Sequence, residues 1–412
     1  MSISIIWWAI FFPGFYAVDS FAVLKMARTD SLNSLWSAPW ALFVQIISVN
    51  GSKPEFATLF FSAIFSVSIT VFFYSLFTEK SAAMISGILQ VTPLVGAMGI
   101  TLLHDIPMTA GFFFVATFIV RGLATQAYKS DEMLKFLLPG MLLITFRGNG
   151  LPTVVILFLI LLAMNPKKPG KRYLIFGVLM SLAFITISSS FLTDPKSKNF
   201  ELGTGWIYND LSCYASTDEG QGFIERAIPS VGNTQKWSSK SACDWFSDAS
   251  LTLEEASLAR DQVIGAFSKL IIQDPKFVLM THIKRHEYLV PIPINGLPRP
   301  PFIHSTIEYE DLGVKWAFPS LAEDARAYVR VWNYFNFFFA YSGFWLCILG
   351  LASAITRRKD LFIVFAFGFI LNSSLFVLAG ISDARYTLFV LISGQGVALN
   401  YLINRIKKLK SV

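Results

Sequence analysis

Charged residues are scarce in this chain. Only 15% of its 412 residues are Asp, Glu, Lys or Arg, whereas 54% are hydrophobic and the mean hydropathy is +0.55. A soluble domain usually carries about 25% charged residues, because its surface faces water. The composition therefore excludes a soluble enzyme, a disordered protein and a nucleic-acid-binding domain, and it indicates a membrane protein.

Cysteine and metal-binding motifs are also scarce. The three cysteines are Cys213, Cys243 and Cys347, and the sequence contains neither a Cys-x-x-Cys nor a His-Glu-x-x-His pattern. These absences argue against a structural zinc site. Cys213 and Cys243 lie in a polar segment that we place below on an oxidising face of the membrane, so we expect a disulfide between them. Two buried free thiols are the alternative.

Long apolar runs fill most of the chain. A run of about 20 apolar residues is long enough to cross a bilayer as a helix. Such runs cover residues 56–77, 82–103, 106–124, 173–192, 331–355, 361–381 and 386–403, and a shorter run covers 3–18. They predict an all-α polytopic membrane protein with about ten transmembrane or membrane-embedded helices in total.

Two shorter apolar runs predict a membrane-embedded hairpin. They cover residues 133–145 and 151–164 and flank Arg147. Each helix would reach only about 20 Å across a hydrocarbon core of about 30 Å. We therefore expect the hairpin to end inside the membrane, against protein or a wet cavity.

The uneven distribution of basic residues predicts the orientation. Lys and Arg concentrate in the segments 121–135, 165–172, 356–360 and 405–412 and are sparse in the alternate loops. By the positive-inside rule, these segments and both termini are cytoplasmic. The outer face then carries the loop 19–55, His104-Asp105, Arg147, the long segment 193–330 and Arg385.

The long polar segment divides the chain into three predicted parts. Residues 1–192 form an N-terminal transmembrane module, residues 193–330 an extracytoplasmic loop domain, and residues 331–412 the last transmembrane helices with a basic tail. The middle part, of about 138 residues, is large enough to fold as a small domain.

Two acidic positions at the outer face are candidates for chemistry, because ionisable groups there are costly and rarely idle. Asp19 follows the helix-breaking Pro13-Gly14, where it is either a general base for a hydroxyl nucleophile or a helix cap. Asp105, with His104 before it, either lines the same pocket and holds a metal ion or a sugar hydroxyl, or caps the following helix.

Two arginines on the same face are candidates for binding phosphate. Arg147 either binds a lipid phosphate or pairs with a carboxylate that holds the hairpin. Arg385, beside Tyr386, either contacts a phosphate or is an interfacial arginine of the common snorkelling kind. Two acidic and two basic groups on four segments suit group transfer from a lipid phosphate. A carboxylate would activate an acceptor hydroxyl, and arginines would neutralise the departing phosphate.

The order of these elements resembles the GT-C superfamily of integral-membrane glycosyltransferases, which use polyprenyl-phosphate sugars. The local patterns that carry the resemblance are Pro13-Gly14 with Asp19-Ser20, His104-Asp105-Ile-Pro107, Arg147-Gly-Asn-Gly150, Asp383-Ala-Arg385-Tyr386, and a juxtamembrane stretch from Asp274 to Arg285 that includes His282. Together they cover most of the chain, and their order and sidedness are more specific than any one of them.

The resemblance implies a GT-C-like fold and a role for each of these residues. Asp19 would be the catalytic base, and Asp105 with His104 would orient the sugar or the acceptor. The donor phosphate would be held by Arg147 and Arg385, with Arg285 and His282 as further candidates. The last two could equally be a solvated helix face. Attack opposite the phosphate would invert the anomeric centre.

The first outer loop departs from the family pattern. Asp19 has no Asp-x-Asp or Glu-x-Asp partner there. A metal requirement is therefore open, and a divalent cation is the single cofactor that the resemblance suggests.

In length and layout the chain is most similar to the bacterial transferases that decorate O-antigen and change serotype. The resemblance thus implies an enzyme of the bacterial cytoplasmic (inner) membrane with its active site facing the periplasm. Its partners would be the lipid bilayer, a polyprenyl-phosphate-linked sugar donor and a lipid-linked or envelope glycan acceptor, with no nucleic acid.

Three other functions compete with this interpretation. An O-antigen polymerase or ligase would depend on Arg and His residues of the outer loop. A transporter or lipid flippase would show repeats or acidic residues at the bilayer midplane, and the sequence has neither. A structural or assembly membrane protein would have no need for charged groups gathered on one face.

Overall fold

The computed structural model describes residues 2–29, 37–125, 129–147, 150–163, 168–191, 205–229, 260–291, 315–378 and 384–409. Within these ranges the chain is built from helices, and the strand-like pairing there is one isolated parallel bridge between Phe15 and Thr101. Four helical stretches, 54–76, 105–124, 359–377 and 384–409, are long and apolar enough to cross a membrane. The prediction of an all-α polytopic membrane protein is confirmed.

Among the described residues, the first half of the chain contributes eleven helices. They are α1 (Ser2–Ile10), α2 (Val18–Thr29), α3 (Ala38–Ile47), α4 (Pro54–Leu76), α5 (Glu79–Val91), α6 (Gly96–Gly99), α7 (Asp105–Thr125), α8 (Ser130–Glu132), α9 (Leu138–Ile144), α10 (Gly150–Ala163) and α11 (Lys168–Phe191). A π-helical turn, Met133–Leu137, joins α8 to α9. The short α9 and α10 flank Arg147 as the predicted hairpin requires.

The second half continues with helices of the polar segment and of the C-terminal bundle. They are α12 (Gly205–Ala215), α13 (Asp218–Ala227), α14 (Arg260–Gln273), α15 (Pro275–Arg285), α16 (Pro319–Asn333), α17 (Asn336–Phe339), α18 (Ser342–Thr356), α19 (Lys359–Leu378) and α20 (Leu388–Leu409). The 3-10 turn Glu287–Leu289 follows α15, and the 3-10 turn Ala384–Thr387 directly precedes α20.

Two of the predicted spans are wrong as continuous helices. The run 82–103 is not one continuous helix. The helix α5 ends at Val91, because the ring of Pro93 cannot continue a helix, and the run goes on through turns and the four-residue α6 to the bridge residue Thr101. The run 331–355 is divided between α16, α17 and α18. The helix α16 ends at Asn333, and α17 and α18 follow as separate helices.

The helix directions give the bundle two chemically different ends. The Asp105 end is where α7, α10 and α20 begin, and it carries Asp105, Arg147 and Arg385. The opposite end is where α4 finishes and α19 begins. There Arg358 donates to the Leu76 carbonyl (2.7 Å) and pairs with Asp360 (2.5 Å).

Aromatic rings and close helix contacts fill the interior between these ends. Phe113 and Phe367 lie 5.1 and 4.8 Å from the ring of Phe389, so α7, α19 and α20 share one aromatic core. A Cβ on Gly111 would lie 2.5 Å from the Gly140 carbonyl oxygen. The backbones of α7 and α9 can therefore meet only because both positions lack a side chain, as is common between membrane helices.

A second, smaller hydrophobic core lies within the polar segment. It gathers apolar residues of α12, α13 and α14, including Leu211, Ile224, Val263 and Leu270. A buried apolar cluster of this kind is what a small domain needs to hold its helices together.

The isolated bridge joins the two broken helical runs near the Asp105 end. The Phe15 amide donates to the Ile100 carbonyl (3.2 Å), and the Leu102 amide donates to the Phe15 carbonyl (3.0 Å). Gly14 makes this approach possible, because its φ is +125° and a Cβ there would lie 2.9 Å from the Ile100 oxygen. The bridge sets the register between the segments that carry Asp19 and Asp105.

Replacing Gly14 by alanine should destabilise the protein. The residue would have to adopt a backbone conformation that costs about 1–3 kcal/mol for a residue with a side chain, and it would clash with Thr58 as well as Ile100. We expect a lower apparent melting temperature of the detergent-solubilised protein. Gly87→Ala in α5 is the matched control, since a Cβ there meets nothing within 4 Å. Equal melting temperatures for the two variants would contradict this account of the bridge.

Candidate active site

The first carboxylate is placed by the turn between α1 and α2. Asp19 lies in the first turn of α2, and its neighbour Ser20 donates a hydrogen bond to the Leu102 carbonyl (2.7 Å). The Ala17 amide donates to the Ser20 hydroxyl (3.0 Å). Asp19 therefore lies at the start of a helix, and its role as a base stays a prediction.

The second carboxylate is the first residue of α7. Asp105 follows the non-helical residues 100–104, and its side chain is fully buried. Asp at a helix start is favourable, because the N-terminal end of the helix dipole is positive. Full burial of a carboxylate is costly unless cations compensate its charge.

Two arginines compensate the charge of Asp105. Arg147, in the loop between α9 and α10, forms an ion pair with Asp105 through Nη1. Arg385, in the 3-10 turn before α20, approaches Asp105 through Nε, at 3.6 Å from Oδ2. Each carboxylate oxygen of Asp105 thus faces a different guanidinium.

Arg385 also joins the two carboxylates. Its Nη2 lies 3.1 Å from Oδ2 of Asp19, whose side chain is 18% exposed. The structure therefore brings together all four charged residues that the sequence singled out on separate segments. Asp19 and Asp105 share one arginine.

Tyr386 supports the arginine pair, and it is a site residue that sequence reasoning placed only at the interface. The guanidinium carbon of Arg147 lies 3.8 Å from the centre of the Tyr386 ring, and that of Arg385 lies 5.3 Å from it. Such cation–π contacts orient a guanidinium plane and add to its stabilisation. The signal in the sequence was the Arg385-Tyr386 pair itself.

His104 completes the site as a neutral group. Its imidazole is buried, and burial together with the nearby charges of Arg147 and Arg385 holds the pKa of His104 well below its usual range. At neutral pH the imidazole of His104 therefore adds no charge to the two arginines and the two carboxylates.

A separate polar cluster surrounds His282 and Arg285. Arg285, near the end of α15, forms a buried ion pair with Asp210 of α12. His282 donates from Nε2 to the Phe376 carbonyl near the end of α19 and packs against His286, with the ring centres 4.4 Å apart. These contacts tie the helices of the polar segment to the bundle. The predicted role of His282 and Arg285 in binding phosphate stays a prediction.

Asp210 was not singled out from the sequence. It lies among apolar residues in α12, and no motif marks it. Burial raises the pKa of Asp210 to about 6, although the charge of Arg285 acts in the opposite direction. The carboxylate is thus held in the interior mainly by its single arginine partner, with the His282 ring 3.9 Å away.

The three cysteines lie apart from the four charged residues of the site in the sequence. Cys213 is buried in α12 and disulfide-bonded, Cys347 is free, and Cys243 lies outside the described residues, so the pairing of Cys213 with Cys243 stays a prediction. Asp383 also lies outside them. Among the residues that the structure describes, no group of three or more His, Cys, Asp and Glu side chains could hold a metal ion.

Comparisons with known proteins give one structural similarity. The chain is similar to the crystal structure of ArnT from Cupriavidus metallidurans in the apo state, with a TM-score of 0.36 and 12% sequence identity over 96% of this chain and 75% of that one. No protein-family model and no curated protein sequence matches the chain significantly. At this TM-score and identity, the similarity gives no information about the chemistry of this chain.

Removing the charge of Asp210 should destabilise the protein strongly. Asp210→Asn would break the buried ion pair with Arg285 from one side, which typically costs about 3–5 kcal/mol. We expect a large fall in the apparent melting temperature. Glu323→Gln is the matched control, because Glu323 pairs with Arg326 and Arg330 on the exposed surface of α16 and should leave the melting temperature nearly unchanged. Similar shifts for the two variants would show that the Asp210 pair is not structural.

Proposed function

We propose that this chain is an integral-membrane glycosyltransferase of the GT-C type. It transfers a sugar from a polyprenyl-phosphate donor to a hydroxyl of a cell-envelope glycan or lipid acceptor. The observation that carries the proposal is the convergence of Asp19, Asp105, Arg147 and Arg385 from four distant segments at one end of a membrane bundle. A structural membrane protein has no evident need for such a costly arrangement.

Asp19 is the proposed catalytic base. It is the more exposed of the two carboxylates, at 18% against 0% for Asp105. A general base has to reach the proton that it removes. Asp19 accepts the proton of the acceptor hydroxyl, whose oxygen attacks the anomeric carbon of the donor. The bond from that carbon to the phosphate oxygen breaks, and polyprenyl phosphate leaves. Attack from the side opposite the phosphate inverts the anomeric centre.

Arg147 and Arg385 bind the phosphate of the donor in this mechanism. Charge builds up on the phosphate oxygens as the bond to the sugar breaks, and fixed cations stabilise that charge most where water is excluded. Both guanidinium groups are largely buried, with side chains 13% and 11% exposed, and Tyr386 contacts both. Arginine suits the task because its planar fork can bind two phosphate oxygens together.

In this mechanism His104 and Asp105 orient the substrates and do not transfer protons. The imidazole of His104, which is neutral at pH 7 because its pKa is lowered, can offer one N–H and one lone pair to sugar hydroxyls. Asp105 is enclosed by the arginines and is not in a position to meet a substrate proton directly.

The distribution of basic residues predicts how the enzyme is oriented in the membrane. Basic residues lie at the end of the bundle opposite Asp105, which by the positive-inside rule is the cytoplasmic end. The proposed active site then faces the periplasm of a bacterial inner membrane, with both termini in the cytoplasm. The proposed substrates are therefore a donor held in the outer leaflet and a glycan of the cell envelope, with O-antigen as the first candidate.

Asp19→Asn should abolish sugar transfer while the protein still inserts and folds. Mass spectrometry of the envelope glycans from cells with the wild type, without the gene and with the variant measures this directly. We expect one added sugar per repeat or per lipid with the wild type alone. Glu55→Gln, which removes a carboxylate in the first turn of α4 at the same end, should retain transfer.

Other outcomes would favour the competing functions. A change in glycan chain length, retained in Asp19→Asn but lost in Arg285→Ala, would identify a polymerase or ligase. Identical glycans in all strains would contradict the transferase function and favour transport.

A further inference from the structure

The proposed base, Asp19, forms an ion pair with Arg385 in this structure. Oδ2 of Asp19 lies 3.1 Å from Nη2 of Arg385, so the residue assigned to accept a proton is ion-paired with a residue assigned to bind phosphate. A carboxylate oxygen that faces a guanidinium is not open to the acceptor hydroxyl, which has to come within hydrogen-bond distance of its base. The same contact also keeps Arg385 from an incoming anion.

The two carboxylates are held very differently. Asp105 is fully buried, and its two oxygens face two arginines, so its removal would take a counter-charge from two largely buried arginines at once. Asp19 is partly exposed, and its ion pair among the described residues is the single contact with Arg385. Asp19 is therefore the partner that an anionic ligand can replace.

The geometry of Arg385 permits this replacement without dismantling the site. Arg385 approaches Asp105 with Nε and Asp19 with Nη2, and these are different nitrogens of one guanidinium. A phosphate oxygen can take Nη2 while Nε keeps its place beside Asp105. Arg147 keeps both its ion pair with Asp105 and its contact with the Tyr386 ring.

The charges of the site lead to the same conclusion. Asp19 places a negative charge beside Arg385, where it opposes the approach of an anion. If Asp19 withdraws, that negative charge leaves Arg385, and the site attracts an anionic phosphodiester more strongly.

We propose that Asp19 and the donor phosphate compete for Arg385, so that binding of the donor releases the base and activates the site. This inference rests on the proposed function and deepens it, since it predicts the order of events at the same residues. The donor binds first. Its phosphate displaces Asp19 from Arg385, and only then is the Asp19 carboxylate available to the acceptor hydroxyl. In the absence of donor the base stays occupied.

Binding of a polyprenyl phosphate without turnover tests the competition. The probe is undecaprenyl monophosphate, titrated against the full-length protein in nanodiscs and followed by native mass spectrometry. Asp19→Asn removes the competitor and should tighten binding by about fivefold, the range expected for a partly exposed ion pair. Undecaprenol, which has the same chain without the phosphate, should bind the wild type and the variant equally.

Two further variants separate competition from general electrostatics and from misfolding. Glu55→Gln removes a charge at the same end, where Glu55 acts electrostatically on Tyr16, and should change the affinity for the phosphate by less than about twofold. Asp19→Ser removes the carboxylate with a smaller side chain and should tighten binding as Asp19→Asn does. Melting temperatures of both Asp19 variants near that of the wild type verify the fold.

The outcomes distinguish this inference from the proposed function. If the wild type binds the monophosphate and the Asp19 variants bind it equally or more weakly, the competition is overturned while the phosphate site stands. If the wild type binds undecaprenyl monophosphate no better than undecaprenol, the phosphate site is refuted and the competition fails with it.

Discussion

The buried charge of Asp105 is the constraint on which the Asp105 end of the bundle depends. A carboxylate with no exposed surface costs several kcal/mol unless cations and hydrogen bonds compensate it. The chain meets this cost with Arg147 and Arg385, which come from loops far apart in the sequence. Each arginine is in turn a buried charge that needs Asp105. The hairpin of α9 and α10, the start of α7 and the start of α20 are therefore held together by one electrostatic arrangement.

Backbone pairing gives this arrangement its precision. The bridge between Phe15 and Thr101 sets two broken helices side by side, and the Ser20 hydrogen bond to the Leu102 carbonyl fixes the start of α2 against the approach to α7. Helix breaks inside a membrane protein are tolerated where protein or a wet cavity satisfies the freed backbone groups. Here the two breaks satisfy each other, and in doing so they place Asp19 where Arg385 can reach it.

The buried ion pair between Asp210 and Arg285 helps to attach the polar segment to the bundle. Asp210 and Arg285 join two helices of the polar segment, and His282 connects them to the carbonyl of Phe376 on α19. A charge pair inside protein is weak evidence for stability on its own, but it is strongly directional. It fixes how the polar segment meets the bundle, near the end of the helix that leads to Arg385.

The sequence by itself determined the class of protein, most of the helices and the candidate residues. Scarce charge and long apolar runs identify a membrane protein, because a helix that crosses a bilayer has to be apolar. The candidate residues Asp19, Asp105, Arg147 and Arg385 were recognisable because charge is costly at the membrane. It failed at residues 82–103 and 331–355, since hydropathy measures transfer into lipid and is blind to a helix that ends inside protein. It also missed Asp210, whose partner Arg285 is 75 residues away. Only the tertiary structure decided which charges meet, because ion pairs depend on distances in space that neither spacing nor composition encodes.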